Sequence, residues 1–262
     1  MLSAIGANTL RLLEYFGGLS RQTKDGLYWT FVAPFRGGRI RWRSALHQMV
    51  VAGVNALPVV CLIAFFIGLI MALQSAYEMK KFGALRFVVD LVAVSMTREL
   101  GPLMTAIIVI GRSGSSFAAE LGTMKVSVEV DALVTMGLNP VNFLLVPKFL
   151  AMMIMMPCLT TIADLMGILG GAAFAGFSEM NMGLETYLLG TAEALVMRDI
   201  ISGQIKSVVF GMIIVQIGCY EGFTVSGGPE GVGRSTTASV VTSIFAVIAA
   251  DVLFTAFFYL LG

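Results

Sequence analysis

The sequence is poor in charge and in metal-binding side chains. Only 13% of its 262 residues are charged, whereas a soluble domain usually has about 25%. The single histidine, His47, and three scattered cysteines offer no ligand set for a metal ion. A net charge of +1 leaves no basic face that could neutralise nucleic-acid phosphates. These shortages argue against a soluble domain, a metal centre and a nucleic-acid partner.

Signals of catalysis are also missing. No nucleophile–base pair is evident, because the only histidine precedes the first apolar run. The segment 228–235 spells a phosphate-binding loop with Arg234 where lysine belongs, but such a loop works between a strand and a helix of a soluble sheet domain. Here it joins two apolar runs, and we interpret it as a turn whose Ser235, Thr236 and Thr237 cap the following helix. We expect no enzyme activity and no cofactor in this chain, so another subunit must supply energy for any energised work.

Apolar residues are abundant, at 57% of the chain. Five long apolar runs each reach the roughly 20 residues that a membrane-spanning helix needs. They cover residues 49–77, 87–111, 143–177, 200–220 and 238–261. We therefore predict an all-α membrane protein, with five transmembrane helices in a domain over residues 47–262. Small residues recur in the runs, among them Gly68 and Gly167, and permit close contact between helices.

Residues 1–46 are expected to form an amphipathic, interfacial segment with a helix. No basic residue precedes Arg11, and no apolar core of useful length follows it, so the segment does not read as a signal peptide. Aromatic and basic side chains mix between Tyr28 and Arg43, which suits the headgroup region of a bilayer. The alternative, a mobile cytoplasmic tail, would leave those aromatic side chains in water.

The distribution of basic residues predicts the orientation. With the N-terminus inside, the inner segments hold eleven Lys and Arg residues and the outer segments four. The positive-inside rule then places the N-terminus in the cytoplasm and the C-terminus outside. The connection between the second and third runs is cytoplasmic in this orientation and contains a predicted amphipathic helix from about Ala118 to Met136. The segment 178–199 lies on the far side and could include a short helix.

Four charged residues interrupt the apolar runs: Arg98, Glu99, Lys206 and Asp251. A charge at the bilayer centre costs about 2.5–3.5 kcal/mol on insertion scales, so we expect these four to find one another across the helices. They could form a structural cluster that fixes helix register, or a gate or relay that rearranges during transport. Asp164, in the third run, has no obvious partner.

Several motifs in register resemble the MlaE-type permease family, the membrane subunits of ABC transporters that move phospholipids between the membranes of Gram-negative bacteria. The similarity extends over nearly the whole chain from the first run onward. The matching residues are Arg98-Glu-Leu-Gly-Pro102, Gly111-Arg112-x-Gly114-Ser115, Ala119-Glu120-x-Gly122-x-Met124, Gly137-x-x-Pro140, Lys206-Ser207 and Gly231-x-Gly233-Arg234-x-Thr236-Thr237.

The resemblance implies a homodimer in the bacterial inner membrane, with the C-terminus in the periplasm. It implies a lipid cavity at the dimer interface, lined largely by the first span and open towards a periplasmic lipid-binding protein with an MCE domain. Leu73, Gln74 and Tyr77, near the outer end of that span, are candidates for its wall. The resemblance also makes Arg98, Glu99, Lys206 and Asp251 the intramembrane polar cluster.

The resemblance further implies an ATP-binding subunit, which would hold ATP and Mg²⁺ and is often accompanied by a small STAS-domain protein. The cytoplasmic helix would dock on that subunit. The candidate coupling residues are Glu120, Lys125, Glu129, Asp131 and Gly137.

A second hypothesis is a stand-alone channel or secondary transporter that uses the intramembrane charges as an ion pathway. Such a protein is expected to show inverted repeats or broken helices in corresponding halves. Five spans without a visible repeat favour the permease. A purely structural membrane anchor would leave the charged residues unexplained.

Overall fold

The computed structural model describes the backbone of residues 2–32, 41–177 and 183–260, and side chains from residue 13 onward. Every regular element in these ranges is helical, as the sequence predicted. The helices are α1 (Leu2–Leu27), α2 (Trp42–Lys81), α3 (Phe87–Val126), α4 (Glu129–Thr135), α5 (Val141–Phe177), α6 (Leu184–Ala194), α7 (Met197–Phe223) and α8 (Gly228–Leu260).

Five of these helices, α2, α3, α5, α7 and α8, are long and apolar enough to cross a membrane. The prediction of five spans is therefore confirmed, but each helix begins or ends outside its apolar run. The longest extension belongs to α3, whose 40 residues give a rod of about 60 Å at 1.5 Å per residue. The hydrocarbon core is about 30 Å thick, so much of α3 must project beyond it.

The bundle has two ends, which we name after the short helices lying there. At the α4 end, α2, α5 and α8 begin and α3 and α7 finish; a hydrogen bond of 3.0 Å from Ser113 Oγ to the Ala52 carbonyl oxygen joins α3 to α2 there. At the α6 end, Arg198 donates a hydrogen bond of 3.2 Å to the Phe258 carbonyl oxygen. Short connections between consecutive helices keep neighbours antiparallel.

Glycines allow α2 and α5 to pack backbone against backbone. A Cβ at Gly68 would collide with the Gly167 carbonyl oxygen, and a Cβ at Gly170 with the Phe65 carbonyl oxygen. The close contact expected from the small residues is confirmed. The buried stripe of α2 repeats every fourth position, as Val60, Ala64, Gly68, Ala72 and Ala76.

The opposite face of α2 is uncovered. Its exposed side chains are large and apolar or aromatic: Leu62, Phe66, Ile70, Leu73 and Tyr77. The α8 helix is the least buried of the five spans. Contiguous apolar surface of this kind is covered by lipid or by another protein.

The predicted turn before the fifth span is wrong. Residues from Gly228 are already helical, and Pro229 stands in the first turn, where a missing N–H costs nothing. Thr236 and Thr237 donate hydrogen bonds to the carbonyl oxygens one turn earlier, at 2.7 and 3.2 Å, so they are interior residues of α8 and not caps. The phosphate-loop pattern therefore lies on a helix.

The predicted single helix from Ala118 to Met136 is also wrong, because the chain breaks between α3 and α4. Val128 adopts a left-handed conformation with φ 63°, which a β-branched residue rarely takes. The Val128 N–H bonds the Lys125 carbonyl oxygen at 3.2 Å and closes α3. The last part of α3 packs into the bundle through buried Phe117 and Leu121. The short α4 follows the break as a separate element, with Val130 and Leu133 buried against the rest of the chain.

The N-terminal helix α1 is fixed to the end of α7. The Tyr15 hydroxyl donates a hydrogen bond of 2.9 Å to Glu221 Oε1, and Gln22 Nε2 donates one of 3.0 Å to the Gln216 carbonyl oxygen. Burial, followed by the nearby Glu221 charge, raises the pKa of Tyr15 well above its usual value, so this hydroxyl keeps its proton. The predicted N-terminal helix is confirmed; residues 33–40 of the predicted interfacial segment lie outside the described residues.

The short helix expected beyond the third span is present as α6. Its Tyr187 is buried against Gly171 of α5, and this burial raises the pKa of Tyr187 to about 12. The aromatic side chain attaches α6 to the end of the bundle.

Candidate functional site

A polar cluster joins α3, α7 and α8 inside the bundle. Lys206 Nζ of α7 contacts the carboxylate of Glu99 on α3 and lies 2.9 Å from Asp251 Oδ1 on α8. The same ammonium donates a hydrogen bond of 2.8 Å to Thr255 Oγ1. The Thr255 hydroxyl lies 3.2 Å from both Glu99 oxygens. One ammonium therefore holds two carboxylates from two other helices.

The backbone brings these side chains together. Asp251 and Thr255 are four residues apart and share a face of α8. On α7, Gly203 precedes Lys206 by about one turn, and a Cβ at Gly203 would collide with the Thr97 carbonyl oxygen of α3. The absent side chain lets α7 approach α3 closely enough for Lys206 to reach Glu99.

Glu99 lies in a π-turn, Met96–Leu100, within α3. Pro102 has no N–H, so the Arg98 carbonyl oxygen lacks the donor that an α-helix would provide. The Gly101 N–H instead bonds the Met96 carbonyl oxygen, five residues back. Single π-turns are frequent at functional sites, and this one sets the direction in which Glu99 leaves the helix.

Arg98 does not join the cluster, so the expectation that all four charges meet is wrong. Its Nε lies 3.6 Å from Asp199 Oδ1, near the start of α7. Consecutive residues on a helix point about 100° apart, so Arg98 and Glu99 face different partners. The charges form two groups, with Lys206 between Glu99 and Asp251 and with Arg98 beside Asp199.

Exposure within the cluster is graded. The Lys206 side chain is 1% exposed, that of Asp251 15% and that of Glu99 33%. Removing one partner of a buried ion pair leaves an uncompensated charge and costs about 3–5 kcal/mol. The cluster therefore resists separation of α8 or α3 from α7, while its Glu99 side is open to its surroundings.

The candidate coupling residues separate into two places. Glu120 lies on the side of α3, where its Oε2 is 2.5 Å from Nζ of the buried Lys148 on α5. Lys125 and Asp131 form an ion pair of 2.8 Å across the break between α3 and α4. Glu129 accepts a hydrogen bond of 2.9 Å from Ser127 Oγ. Glu120 is thus a contact on the side of α3, whereas Lys125, Glu129 and Asp131 lie at the break and Gly137 lies beyond the end of α4.

We call residues 126–138 the α4 tip. Gly137, with φ 74°, ends the helix in the left-handed conformation that glycine adopts readily. Val130 and Leu133 face inward. The exposed apolar side chains of the tip are Val126, Val128, Val134, Met136 and Leu138. Apolar side chains rimmed by Lys125, Glu129 and Asp131 have the composition of a protein-binding surface.

The candidate cavity residues share the uncovered face of α2. Leu73, Gln74 and Tyr77 are all exposed, near the α6 end. Lys81 Nζ lies 4.5 Å from the centre of the Tyr77 ring. The Lys81 ammonium also forms an ion pair of 3.0 Å with Glu78, so the face changes from apolar to polar and charged along its length. The role of these residues in lipid binding stays a prediction.

Asp164 lies beside the π-turn of α3. Its Oδ1 fits against Gly101, where a Cβ would collide with it. Within the described part of the chain this oxygen has no hydrogen-bond partner. Asp164 is separate from the Lys206 cluster and contacts the other side of the turn that carries Glu99.

Sequence reasoning missed three of the residues that complete these contacts. Thr255 follows Asp251 by one helical turn, a spacing that would have found it. Asp199 and Lys148 belong to long-range pairs with Arg98 and Glu120. No local pattern reveals such partners, because they depend on how the helices pack.

Residues 45–257 match the family described as Permease MlaE. The chain belongs to the MlaE permease family. Over 257 residues it is 37% identical to a probable ABC transporter permease protein of Rickettsia bellii, covering 98% of this chain and 97% of that one. A probable ABC transporter permease protein of Rickettsia typhi is 41% identical over 210 residues, 80% of this chain and 81% of its own.

The chain is also similar to the chloroplastic protein TRIGALACTOSYLDIACYLGLYCEROL 1 of the plant Arabidopsis thaliana. It is 38% identical over 224 residues, which is 85% of this chain and 63% of the plant protein. This chain is thus a multi-pass ABC transporter permease, a class of subunit that works with an ATP-binding partner.

Proposed function

We propose that this MlaE permease moves phospholipids between the inner and outer membranes of a bacterium and so maintains lipid asymmetry. The observation that carries the proposal is the uncovered face of α2, which is apolar along most of its length and ends in Gln74, Tyr77 and Lys81. Acyl chains need an apolar wall, and a headgroup needs a few polar groups at its end. The name of the Arabidopsis relative refers to a diacylglycerol lipid, which agrees with a lipid substrate.

The same face would be shared with a second copy of the chain. A homodimer that pairs two α2 faces encloses a cavity that neither copy forms alone. The cavity would open at the α6 end to a periplasmic lipid-binding protein with an MCE domain. In this arrangement the N-terminus is cytoplasmic, the C-terminus is periplasmic and the permease lies in the inner membrane, with a STAS-domain protein as a further candidate partner.

The chain itself is proposed to be non-catalytic, with ATP and Mg²⁺ on the partner subunit. The α4 tip would receive the movement of that subunit, because its exposed apolar side chains are rimmed by charges. From Val126 back to Glu99, α3 is a continuous helix of 28 residues, or about 40 Å. Such a rod transmits displacement of the tip to the polar cluster.

The Lys206 cluster would act as a latch between two arrangements of the helices. Separating Lys206 from either carboxylate leaves a buried charge without its partner. Helix positions between the two arrangements are therefore high in free energy. Packed interfaces of this kind are bistable and switch between discrete states. The latch therefore converts a gradual push on α3 into opening or closing of the cavity.

The orientation is tested with cysteine labelling. Glu129→Cys on α4 and Glu185→Cys on α6 are prepared in a variant lacking the three native cysteines. In intact cells, a membrane-impermeant maleimide should label the α6 position and spare the α4 position until the inner membrane is opened. The reverse pattern would contradict the proposed orientation.

Coupling is tested in vesicles that contain the permease and its ATP-binding subunit. Asp131→Arg should retain lipid-independent ATPase activity but lose ATP-driven phospholipid transfer, because it breaks the ion pair with Lys125 at the tip. Glu193→Arg, at the α6 end, is the matched control and should keep ATPase binding and coupling. Transfer of lipid or ions by the permease alone would support the channel hypothesis instead.

A further inference from the structure

A cavity of 660 Å³ opens at the α4 end, between the start of α2 and the start of α5. It lies at the opposite end of the bundle from Leu73, Gln74 and Tyr77. Its volume falls within the range of about 300–1,000 Å³ typical of ligand sites. Three cations line it, Arg41, Arg43 and Lys148, against the single carboxylate of Glu120.

The cavity is built around two cations that are already held in place. Arg41 stacks on Phe143, with Cζ 3.7 Å from the ring centre, and donates a hydrogen bond of 3.4 Å to the Phe143 carbonyl oxygen. Lys148 is 1% exposed and is neutralised by Glu120 at 2.5 Å. These contacts fix the wall of the cavity. The negative charge of Glu120 is compensated by Lys148, so it does not offset the charge of the two arginines.

Arg43 and His47 are two of the unengaged polar groups of the cavity, which Ser44 and Gln48 also line. Arg43 and His47 are four residues apart on one face of α2, and both are exposed. Among the described residues neither side chain has an ion-pair or hydrogen-bond partner. With Arg41 beside them, they leave the cavity with a positive charge and free donors, which is the chemistry that recognises a phosphate group.

The neighbouring face of α2 indicates that the phosphate belongs to a lipid rather than to a soluble molecule. Trp42, Leu46 and Val50 follow at intervals of four residues, and all are exposed. Tryptophan at the start of a spanning helix is typical of the membrane–water interface. A ligand with its phosphate beside Arg43 would therefore have apolar helix surface directly below it, along which acyl chains can lie.

We propose that this cavity binds the phosphate headgroup of an anionic phospholipid, at a second lipid site distinct from the α2 cavity. Basic pockets between spanning helices are suited to such headgroups. The site goes beyond the proposed transport function, and it rests on the proposed orientation only in assigning the lipid to the cytoplasmic leaflet. A bound lipid would connect α2 to α5 through Arg43 and the Arg41–Phe143 stack.

The test uses the full-length chain, freed of lipid in an uncharged detergent. The chain has two tryptophans, so a Trp29→Phe background leaves Trp42, at the mouth of the cavity, as the fluorescent reporter. Dioctanoyl phosphatidylglycerol is titrated, with dioctanoylglycerol as the probe without phosphate and inorganic phosphate as the probe without acyl chains. A saturable change with phosphatidylglycerol only is the expected result.

Arg43→Gln should weaken phosphatidylglycerol binding by about tenfold, the loss expected for one charge-assisted contact. Arg86→Gln, a basic residue lining the cavity at the α6 end, is the matched control and should bind normally. Unchanged binding by Arg43→Gln, or equal binding of dioctanoylglycerol, would overturn the proposal. So would competition by inorganic phosphate at the concentration of the lipid, which would indicate a soluble phosphate ligand.

Two further measurements distinguish this lipid site from a protein-binding surface and from the proposed transport function. Loss of the ATP-binding subunit from Arg43→Gln, with unchanged lipid binding, would make the cavity a protein contact and refute the lipid site. Binding needs neither ATP nor partner subunits, so absence of lipid transfer by the assembled complex would refute the transport function alone. Saturable binding that depends on Arg43 would still establish this site.

Discussion

Replacing Lys206 by methionine gives the sharpest test of the polar cluster. The substitution keeps an unbranched side chain, shorter by its terminal atom, but leaves Glu99 and Asp251 facing each other without a cation. Because Lys206 is 1% exposed, its loss breaks a buried ion pair, which costs about 3–5 kcal/mol. For a chain of this size that corresponds to a loss of about 10 °C in unfolding temperature.

The matched control is Thr255→Val, which replaces only a hydroxyl of the same cluster by a methyl group. Hydrogen bonds between spanning helices contribute about 0.6 kcal/mol on average, so this variant should unfold within a few degrees of the original, on the order of 2 °C. Thermal unfolding followed by intrinsic fluorescence in detergent measures both. A Lys206→Met variant no less stable than Thr255→Val would refute the electrostatic account.

A variant in which all three charges of the cluster are removed distinguishes a latch that switches during transport from a purely structural contact. Lys206→Met combined with Glu99→Gln and Asp251→Asn has no uncompensated charge, so it should regain most of the lost stability. If the cluster switches during transport, ATP-driven lipid transfer should stay low although the protein is stable. Recovery of both stability and transfer would show that the cluster serves folding alone.

Three further changes test the packing. Gly68→Ala should lower the unfolding temperature, because the added methyl group collides with the Gly167 backbone and overpacking costs about 1–3 kcal/mol. The control is Gly233→Ala, which has open space around it and should be neutral or stabilising in the same assay. Val128→Gly should stabilise the protein by roughly 0.5–1 kcal/mol, since a left-handed β-branched residue is strained, and a destabilised variant would contradict the assigned turn. Tyr15→Phe should release α1 and speed tryptic cleavage at Arg21, whereas Tyr28→Phe, an exposed tyrosine, should not.

The five spans could be predicted because length and apolarity are properties of the chain itself. The ends of the helices could not, because an apolar run marks the hydrocarbon and a helix continues beyond it wherever backbone hydrogen bonds can form. The extension of α3 from Gly111 to Val126 and that of α8 back to Gly228 are of this kind. The break at Val128 could not be predicted, because no glycine or proline stands there to indicate the end of a helix.

The candidate site was predicted in part for a similar reason. Buried charge must be compensated, so Glu99, Lys206 and Asp251 could be expected to meet. Which of two adjacent residues faces inward depends on the phase of the helix, and the π-turn before Pro102 changes that phase. The cavity near Arg43 depends on residues about 100 positions apart along the chain, and no local pattern contains it.

The two π-turns of α3, Met96–Leu100 and Ile110–Gly114, determine where this rod could lose a residue. Each accommodates one residue more than an α-turn, whereas an extra or missing residue in regular α-helix rotates everything beyond it by about 100° around the axis. Deleting one amino acid within the first π-turn would leave an α-turn there, so Phe117 and Leu121 would stay in the core and Glu120 beside Lys148. The same deletion in the regular helix outside the π-turns would swing these side chains away from their partners.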